Sequence, residues 1–363
     1  MTGRRVRILL SVGCLLPVDA TVAFSLLGAQ ILAFFLKVFR PPRSFSASRP
    51  PQTASVTIQI LTWDGRPLLE EFLPSVVEAA GNHEVLVVDN GSTDGSVEFL
   101  KNRFPTVRVL PLDRNYGYSE GNNRGMKHLT SDVVVLLNND MAVDPDFLRP
   151  LLSPFSDPTV FAVASQIAMA DKSKSRFETG KTRARFEAGL FYLWHDQIAP
   201  HEESVQALPV FWAGGGACAI DRRKFEMLGG FDALYQPFYV EDTDLSYQAW
   251  KRGWKALLAP ASRVIHKHRG TSGPRFGELF VNNTTRRNHY LFIWKNVTDL
   301  GMLLEHLSWL PRIHARAISQ YGAAFEYRAY LRAFLRLPRA LRRRLSEVRN
   351  EAFGDREILD RCK

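Results

Sequence analysis

Four apolar runs, separated by charged and turn-rich segments, recur between Val56 and Asp140, and each of the best defined ends on an acid or an amide. They read "VTIQIL" (56–61), "EVLVVD" (84–89), "VRVLPL" (107–112) and "DVVVLLNND" (132–140). The last is hydrophobic at successive positions, so as a strand it must be covered on both faces. Between the runs, "PLLEEFLPSVVEAA" (67–80), "SVEFLKNRF" (96–104) and "GYSEGNNRGMKHL" (117–129) read as helices. Strand and helix in strict alternation predict an α/β fold with a mostly parallel, doubly wound sheet. Ligands of such sheets bind at the carboxyl ends of the strands. The polar residues gather at those ends: Asp89 and Asn90 after the second run, Asn138 to Asp140 after the fourth.

Charge is distributed unevenly around this unit. Residues 1–50 carry seven Lys/Arg against Asp19, and residues 311–349 carry ten Arg against Glu326 and Glu347, so the middle is mildly acidic within a net +10. A nucleic-acid reader would carry its basic residues through the folded domain, so no nucleic-acid partner is expected. Basic flanks with apolar neighbours suit an anionic membrane surface. Ala20 to Leu36 is free of charge, about the minimum for a membrane span. A shorter run, Ile8 to Leu16, precedes it, broken by Pro17 and Asp19. Residues 1–40 are therefore expected to anchor the chain, as a single span or a re-entrant hairpin. Residues 41–55, rich in Pro and Ser, form a linker. The Arg-rich segment from about 311 repeats apolar residues at helical spacing. It fits either an interfacial helix on acidic lipid or a helix packed on the domain with solvated arginines. Three scattered cysteines, Cys14, Cys218 and Cys362, make neither a disulfide framework nor a zinc site.

Several stretches carry candidate chemistry. In "VVDNGSTDGS" (87–96), Asp89 at a strand end beside an exposed turn can accept from a ring N–H such as that of uracil or thymine; the same residues also make a capped βα turn. "DRNYGYSEGNNRG" (113–125) offers backbone amides and Arg124 to a diphosphate. It lacks GxGxxG, which disfavours a dinucleotide dehydrogenase. Asp140, ending a buried strand, is costly unless it binds something, and a hard divalent cation on a diphosphate is its natural partner. In "FWAGGGACAIDRRKFEMLGGFD" (211–232) the glycines 214–216 let backbone approach a ligand closely or make a tight turn. "RVIHKHRGTSG" (263–273) puts His266 and His268 on one face of a strand end. Finally, "QPFYVEDTDLSYQAWKRGW" (236–254) sets Glu241, Asp242 and Asp244 against Phe238 and Tyr239. Asp244 suits a helix first turn, which leaves Glu241 and Asp242 facing a pocket.

In this order the motifs resemble the inverting family 2 glycosyltransferases, and within them the rhamnosyltransferase-like branch, over about residues 54–295. The resemblance implies a GT-A fold over residues 56–300, with a nucleotide-sugar-binding half (56–145) and an acceptor-binding, catalytic half (146–300). A basic amphipathic helical tail (301–363) follows. It also implies a dTDP- or UDP-sugar donor, a Mg²⁺ or Mn²⁺ ion, and a lipid-linked or polysaccharide acceptor at the cytoplasmic face of a bacterial membrane. By motif, Asp242 resembles the general base, supported by Glu241. Asp140 resembles the last acid of the family's DxD element, here reduced to Asn138–Asn139–Asp140, and His266 or His268 resembles the histidine that completes the metal site. Thr62, Asp89, Asn90, Asn115, Gly117, Arg124 and Asn139 fall on the nucleotide-sugar side, and Trp212, Gly214 and Gly215 on the acceptor side. Two other readings compete. A non-catalytic nucleotide- or glycan-binding scaffold would be favoured by loss of Asp242 or Asp140, and both are present. A nucleotidyltransferase would need basic residues near its first glycine turn, where only Arg66 occurs.

Overall fold

The computed structural model describes residues 2–39, 55–170, 178–267 and 276–363. Most of the expected linker, and His268, lie outside the described residues. Two helices, α1 (Thr2–Gly13) and α2 (Leu16–Phe39), come first. Then follow β1 (Val56–Thr62), α3 (Arg66–Ala80), β2 (Glu84–Asp89), α4 (Ser96–Arg103), β3 (Arg108–Pro111), α5 (Gly117–Met126) and β4 (Val133–Asn138). Each sequence-expected strand and helix of this half is present, with ends shifted by a few residues. The second half comprises β5 (Met141–Val143), α6 (Leu148–Leu152), β6 (Val160–Met169), the hairpin β7 (Thr182–Glu187) and β8 (Leu190–His195), and β9 (Leu208–Pro209). It continues with β10 (Ala217–Asp221), α7 (Arg222–Leu228), α8 (Glu241–Lys251) and β11 (Lys255–His266). Five helices end the chain: α9 (Glu278–Asn296), α10 (Leu300–Tyr321), α11 (Ala323–Phe334), α12 (Leu337–Glu347) and α13 (Asp355–Arg361).

The main sheet has the order β3-β2-β1-β4-β10-β6-β11-β5, with β9 on the side of β11. β1 is parallel to β2 and β4, and β2 to β3. β10 is antiparallel to both of its neighbours, so β6 and β11 again run with β4. The sheet is therefore mostly parallel, as the alternation predicts, with β10 reversed at its centre and the short β5 and β9 reversed beside β11. Both faces are covered. Val134 and Leu136 of β4 enter one core with Met126, Phe225 and Trp294, while Val133, Val135 and Leu137 enter the other with Leu69, Val76, Leu100 and Leu151. Each such buried aliphatic side chain contributes roughly 1.5–3 kcal/mol, which is why this strand tolerates no polar interruption until Asn138.

The C-terminal helices are not a detached tail. Cys362 shares the core of α8 residues Leu245 and Trp250, and Arg183 donates to its carbonyl at 3.0 Å. The arginines are not all solvated either: Arg344 is buried and donates to the carbonyl of Trp294 and to Gln30 Oε1. Helix α2 is long and apolar enough to cross a membrane by length and composition. One stripe of it, Asp19, Val22, Leu26, Ala29 and Ala33, nevertheless packs inward, and α10 and α12 lie against it. The opposite face leaves Phe24, Ile31, Phe34, Phe35 and Phe39 exposed.

Asp19, expected to break the apolar run, does the reverse. Its Oδ1 lies 3.1 Å from His314 Nε2 and accepts from the Tyr330 hydroxyl at 2.6 Å. His314 Nδ1 pairs at 2.8 Å with Glu326 Oε1, which also accepts from the Tyr290 hydroxyl at 2.5 Å, and Arg286 closes the cluster on Glu326. The acid is a polar rivet between the first helices and the last ones, reinforced by Lys37–Glu351 and by Tyr327 donating to the Ser11 carbonyl. Burial alone would lower the His314 pKa; its hydrogen bonds to Asp19 and Glu326 outweigh that and raise it.

Asp19→Ala strands a buried histidine and hydroxyl and is expected to cost about 3 kcal/mol, read as a lower denaturation midpoint. Because the folded His314 pKa is raised, its contribution is complete below the ordinary histidine value of 6.5 and is lost as pH rises through the folded value. His314→Gln should accordingly narrow its stability deficit relative to wild type as denaturant melts are moved from pH 6 to alkaline pH.

Candidate active site

Register alone brings the candidate residues to one edge. Thr62 ends β1 opposite Asp89 at the end of β2, and Leu61 lies opposite Asn138 at the end of β4. β10 runs the other way, so its start, not its end, reaches this edge: the Asn138 N–H donates to the Gly216 carbonyl at 2.8 Å. β11 runs with β4 and delivers His266 to the same edge, where it lies opposite Met141 of β5.

The nucleotide side is a set of interlocked turns. The Asp89 carboxylate accepts from the Ser92 N–H at 2.9 Å through Oδ1, while its buried Oδ2 has no partner among the described residues. An unpaired buried carboxylate oxygen calls for a donor from outside the chain. Asn139 Nδ2 donates to Thr62 Oγ1 at 2.9 Å, and a methyl on Gly65 would collide with both atoms. Asn90 and Asn115 are committed internally. Asn90 Nδ2 donates to Asn115 Oδ1 at 3.0 Å and to the Gly117 carbonyl at 3.2 Å, and Asn90 Oδ1 accepts from the Tyr116 N–H. They shape the loop instead of offering free amides. Gly117 meets the need of that loop for left-handed backbone, at φ 76°. Arg124 lies 3.1 Å from Glu120 and over the Tyr116 ring at 3.7 Å, so its charge is already shared.

For the cation, Asp140 and His266 are adjacent: Asp140 Oδ1 lies 3.2 Å from His266 Nε2. Glu178 Oε2 lies 2.6 Å from the other ring nitrogen, Nδ1. Burial opposes protonation of this imidazole, but its hydrogen bonds to Asp140 and Glu178 prevail and raise its pKa to about 9. A carboxylate behind a ligating histidine is the arrangement that orients an imidazole toward a metal. No group of three His, Cys, Asp or Glu among the described residues could hold an ion alone. Two protein ligands do fit an ion whose remaining positions are filled by phosphate oxygens and water.

The acids of the run 236–254 separate sharply. Asp244 is buried and accepts from Lys295 at 2.6 Å, Tyr235 at 2.7 Å and Asn296 at 2.7 Å. It is a structural ion pair, and α8 is buried along its length instead of amphipathic, with Lys251 pairing Asp355 at 2.6 Å. Asp242 Oδ2 accepts from the Gly215 N–H at 3.2 Å and Oδ1 from the Thr243 N–H at 2.7 Å. Glu241 is buried, and its Oε2 has no partner among the described residues. Burial raises both pKa values, and the neighbouring Asp242 pushes Glu241 further, well above the ordinary glutamate value. Both carboxyls are therefore harder to ionise than ordinary acids, and of the two it is Asp242 whose charged form has N–H donors, those of Gly215 and Thr243.

On the acceptor side, Gly215 is small because the Tyr118 hydroxyl packs on it, and Gly216 because Asn138 does. Gly214 alone faces open space. Trp212 does not stand open: it is packed in the core, edge-on to His195, and its N–H and carbonyl both meet Thr182 Oγ1.

Sequence reasoning missed Tyr118, whose pKa burial raises first and Glu241 and Asp242 further. It also missed the residues that aim the acids. Tyr239 and Val240 have φ of 70° and 76°, left-handed backbone that costs roughly 1–3 kcal/mol per residue and is abnormal for valine. Asn288 Nδ2 holds this turn through the carbonyls of Tyr235, Phe238 and Tyr239 at 2.8, 3.0 and 2.9 Å. Arg287 adds bonds to the carbonyls of Tyr235 and Gln236 at 3.2 and 2.6 Å.

Comparison with known proteins gives the class of enzyme to which this sheet edge belongs. Residues 57–227 match the profile of Glycosyl transferase family 2. An N-acetylglucosaminyl-diphospho-decaprenol L-rhamnosyltransferase of Mycobacterium tuberculosis is 30% identical over 247 residues, covering 61% of this chain and 78% of that one. Polypeptide N-acetylgalactosaminyltransferase 11 of Xenopus tropicalis is 24% identical over 269 residues, 66% of this chain but 44% of its own. The fold matches GalNAc-T7 with UDP, GalNAc and Mn²⁺ at a TM-score of 0.51 and 18% identity, over 75% of this chain and 59% of that one. It also matches the Pyrobaculum calidifontis mannosyltransferase PcManGT, with GDP-Man and Mn²⁺, at 0.50 and 18%, over 92% and 96%. The chain is a glycosyltransferase that uses a nucleotide-sugar donor. It belongs to glycosyltransferase family 2, and is rhamnosyltransferase-like.

Removing the clamp by Asn288→Ala lets the strained turn relax and shifts Asp242. Displacements of about 1 Å cost on the order of 100-fold in rate, so kcat should fall by about that factor while nucleoside diphosphate affinity, measured by calorimetry, stays at the wild-type value.

Proposed function

We propose that this enzyme transfers a sugar with inversion, from a dTDP- or UDP-sugar to a hydroxyl of a lipid-linked or polysaccharide acceptor, with Asp242 as general base. The observation that carries this reading is the pair of N–H groups, of Gly215 and Thr243, that hold the Asp242 carboxylate at the sheet edge beside the buried Glu241. Neighbouring carboxyls whose environments set their pKa values apart are the mark of divided acid–base roles, and Glu241 is raised well above the ordinary glutamate value. The likeness to a rhamnosyltransferase supports rhamnose as the sugar and a lipid-linked acceptor.

In this reading Asp89 accepts from the base through its unpaired Oδ2. Thr62 and Asn139 line the same side through their mutual hydrogen bond. Asp242 takes the proton of the acceptor hydroxyl as that oxygen attacks the anomeric carbon, which requires an approach of about 3 Å. Glu241, protonated, donates to a sugar or acceptor oxygen that its unpartnered Oε2 can reach. Tyr118, near both acids, remains a neutral hydroxyl and keeps Gly215 in position. Asp140 and His266 hold a divalent cation, oriented through Glu178. When bound, the ion offsets negative charge on the departing nucleoside diphosphate. The exposed aromatic face of α2 rests on the cytoplasmic side of a membrane, which brings the active site to an acceptor held there.

Asp242→Asn should lower transfer by about 10²–10⁴-fold, followed as nucleoside diphosphate release, with NMR of the product showing the inverted anomer in the wild type. A retained anomer, or transfer by the variant at the wild-type rate, would sink the mechanism. Since the Asp242 pKa is raised, the acid limb of the kcat/KM profile should lie above 3.8, rate being lost as pH falls through it. Chelation should abolish transfer, and Mg²⁺ or Mn²⁺ should restore it.

A further inference from the structure

Behind the catalytic turn lies positive charge without a counter-ion. Arg287 is buried at 5% exposure, yet its guanidinium meets only neutral oxygens, the carbonyls of Tyr235 and Gln236 and the amide of Asn288. Among the described residues no carboxylate lies within ion-pair distance of Arg287, Arg332, Arg336 or Arg339. Of the other buried cations, Lys295 has Asp244, Lys251 has Asp355, Lys224 has Asp221, Lys181 has Glu202 and Arg252 has Glu347, and Arg344, though hydrogen-bonded to neutral oxygens, has the charges of Asp355 and Glu351 acting on it. A buried charge left uncompensated is expensive, so this exception calls for an anion.

The charges of Arg336 and Arg332 reach Arg287. After burial, they are the causes that lower its pKa, to about 9, and Arg339 and Arg332 act likewise on Arg336. Packing explains the convergence, since α9 carries Arg287 and lies against both α11 and α12, whose junction holds Arg332, Arg336 and Arg339. The 235–239 turn separates this cluster from the donor side. The Pro237 carbonyl faces Gly117 of the nucleotide loop, whereas the carbonyls of Tyr235 and Gln236 face Arg287. Next to the same turn, Phe238 packs edge-on to Phe276 at 5.2 Å and to Phe280 at 6.1 Å, and both partners are exposed.

Taking the acceptor reading above as its basis, we propose that Arg287, Arg332 and Arg336 bind the diphosphate of an isoprenyl-diphosphate-linked acceptor, whose first isoprene units lie on Phe276 and Phe280. A diphosphate diester carries two negative charges, which matches a cluster of three to four arginines better than a single phosphate does. Arginine forks suit its paired oxygens. The acceptor sugar, attached to the diphosphate, then extends past the 235–239 turn toward Asp242.

The test is titration of the full-length protein with geranylgeranyl diphosphate, geranylgeranyl monophosphate, inorganic pyrophosphate, UDP and dTDP. Wild type is compared with Arg332→Gln/Arg336→Gln, and folding of each is checked by its Tm. The double variant should bind geranylgeranyl diphosphate at least about tenfold more weakly, the equivalent of one charge-assisted hydrogen bond, and keep the wild-type Kd for UDP or dTDP. The charge-conserving Arg332→Lys/Arg336→Lys should recover part of the loss. Unchanged geranylgeranyl diphosphate binding would overturn the assignment, and so would a parallel loss of nucleotide binding, which would give the cluster to the donor. Equal wild-type affinity for inorganic pyrophosphate would remove the lipid from the proposal. Loss of binding to phosphatidylglycerol vesicles alone, with diphosphate binding intact, would make the cluster a membrane contact and reject it. Failure of the wild type to bind either nucleotide would count against the function proposed above, and the isoprenyl titration would still judge the cluster.

Discussion

The amide nitrogen of Asn288 lies within hydrogen-bond distance of three carbonyls belonging to one turn, and that turn carries two consecutive residues in left-handed backbone. Without the clamp, Val240 has no reason to accept this conformation, and α8 would start in another direction. With it, Glu241 and Asp242 emerge at the sheet edge, where the Gly215 N–H holds Asp242. The strain is thus local, and what offsets it comes from a helix some fifty residues later in the chain. The buried pair Asp244–Lys295 fixes the same two helices one turn further along, so the aim of the acids is determined at two points.

Sheet geometry supplies the rest of the site. Parallel register puts Thr62, Asp89 and Asn138 in a row, and the reversed β10 brings a glycine turn into that row from the opposite direction. The three glycines in sequence suggest open backbone, but two of them are small to admit Tyr118 and Asn138. The glycine turn expected to face the acceptor is therefore walled by side chains from the segment expected to hold the nucleotide. This couples the two halves in a way that no boundary at residue 145 conveys.

The first half of the fold was legible because its strands are buried on both faces, and a run such as "VVVLL" has no other stable position. The place of Asp89, Asp140 and Asp242 at the sheet edge was legible because an acid closing an apolar run, or standing in a motif, is conspicuous. Asn288, Arg287 and Glu178 were not. Each acts on a partner 49 to 88 residues away, inside segments whose local pattern reads as ordinary helix or loop. Asp19 was misread for the same reason: one acid in an apolar helix looks like an interruption when its partners lie 295 and 311 residues downstream. Local sequence also cannot tell a solvated arginine from a buried one, and Arg344 and Arg332, twelve positions apart in one Arg-rich segment, differ in just that respect.

The rivet at Asp19 bears on how such an enzyme can be handled. Trimming the first forty residues is the ordinary route to a water-soluble membrane-associated enzyme, on the view that an anchor and a catalytic domain are separable parts. In this chain Val22 and Leu26 belong to the same core as the sheet and α8, and Gln30 receives a buried arginine. A trimmed chain would expose that core and leave His314 and Arg344 short of partners. Its solubility would be gained at the expense of the helices that carry Asn288, so shielding the exposed aromatic face with a detergent or lipid disc is the sounder preparation.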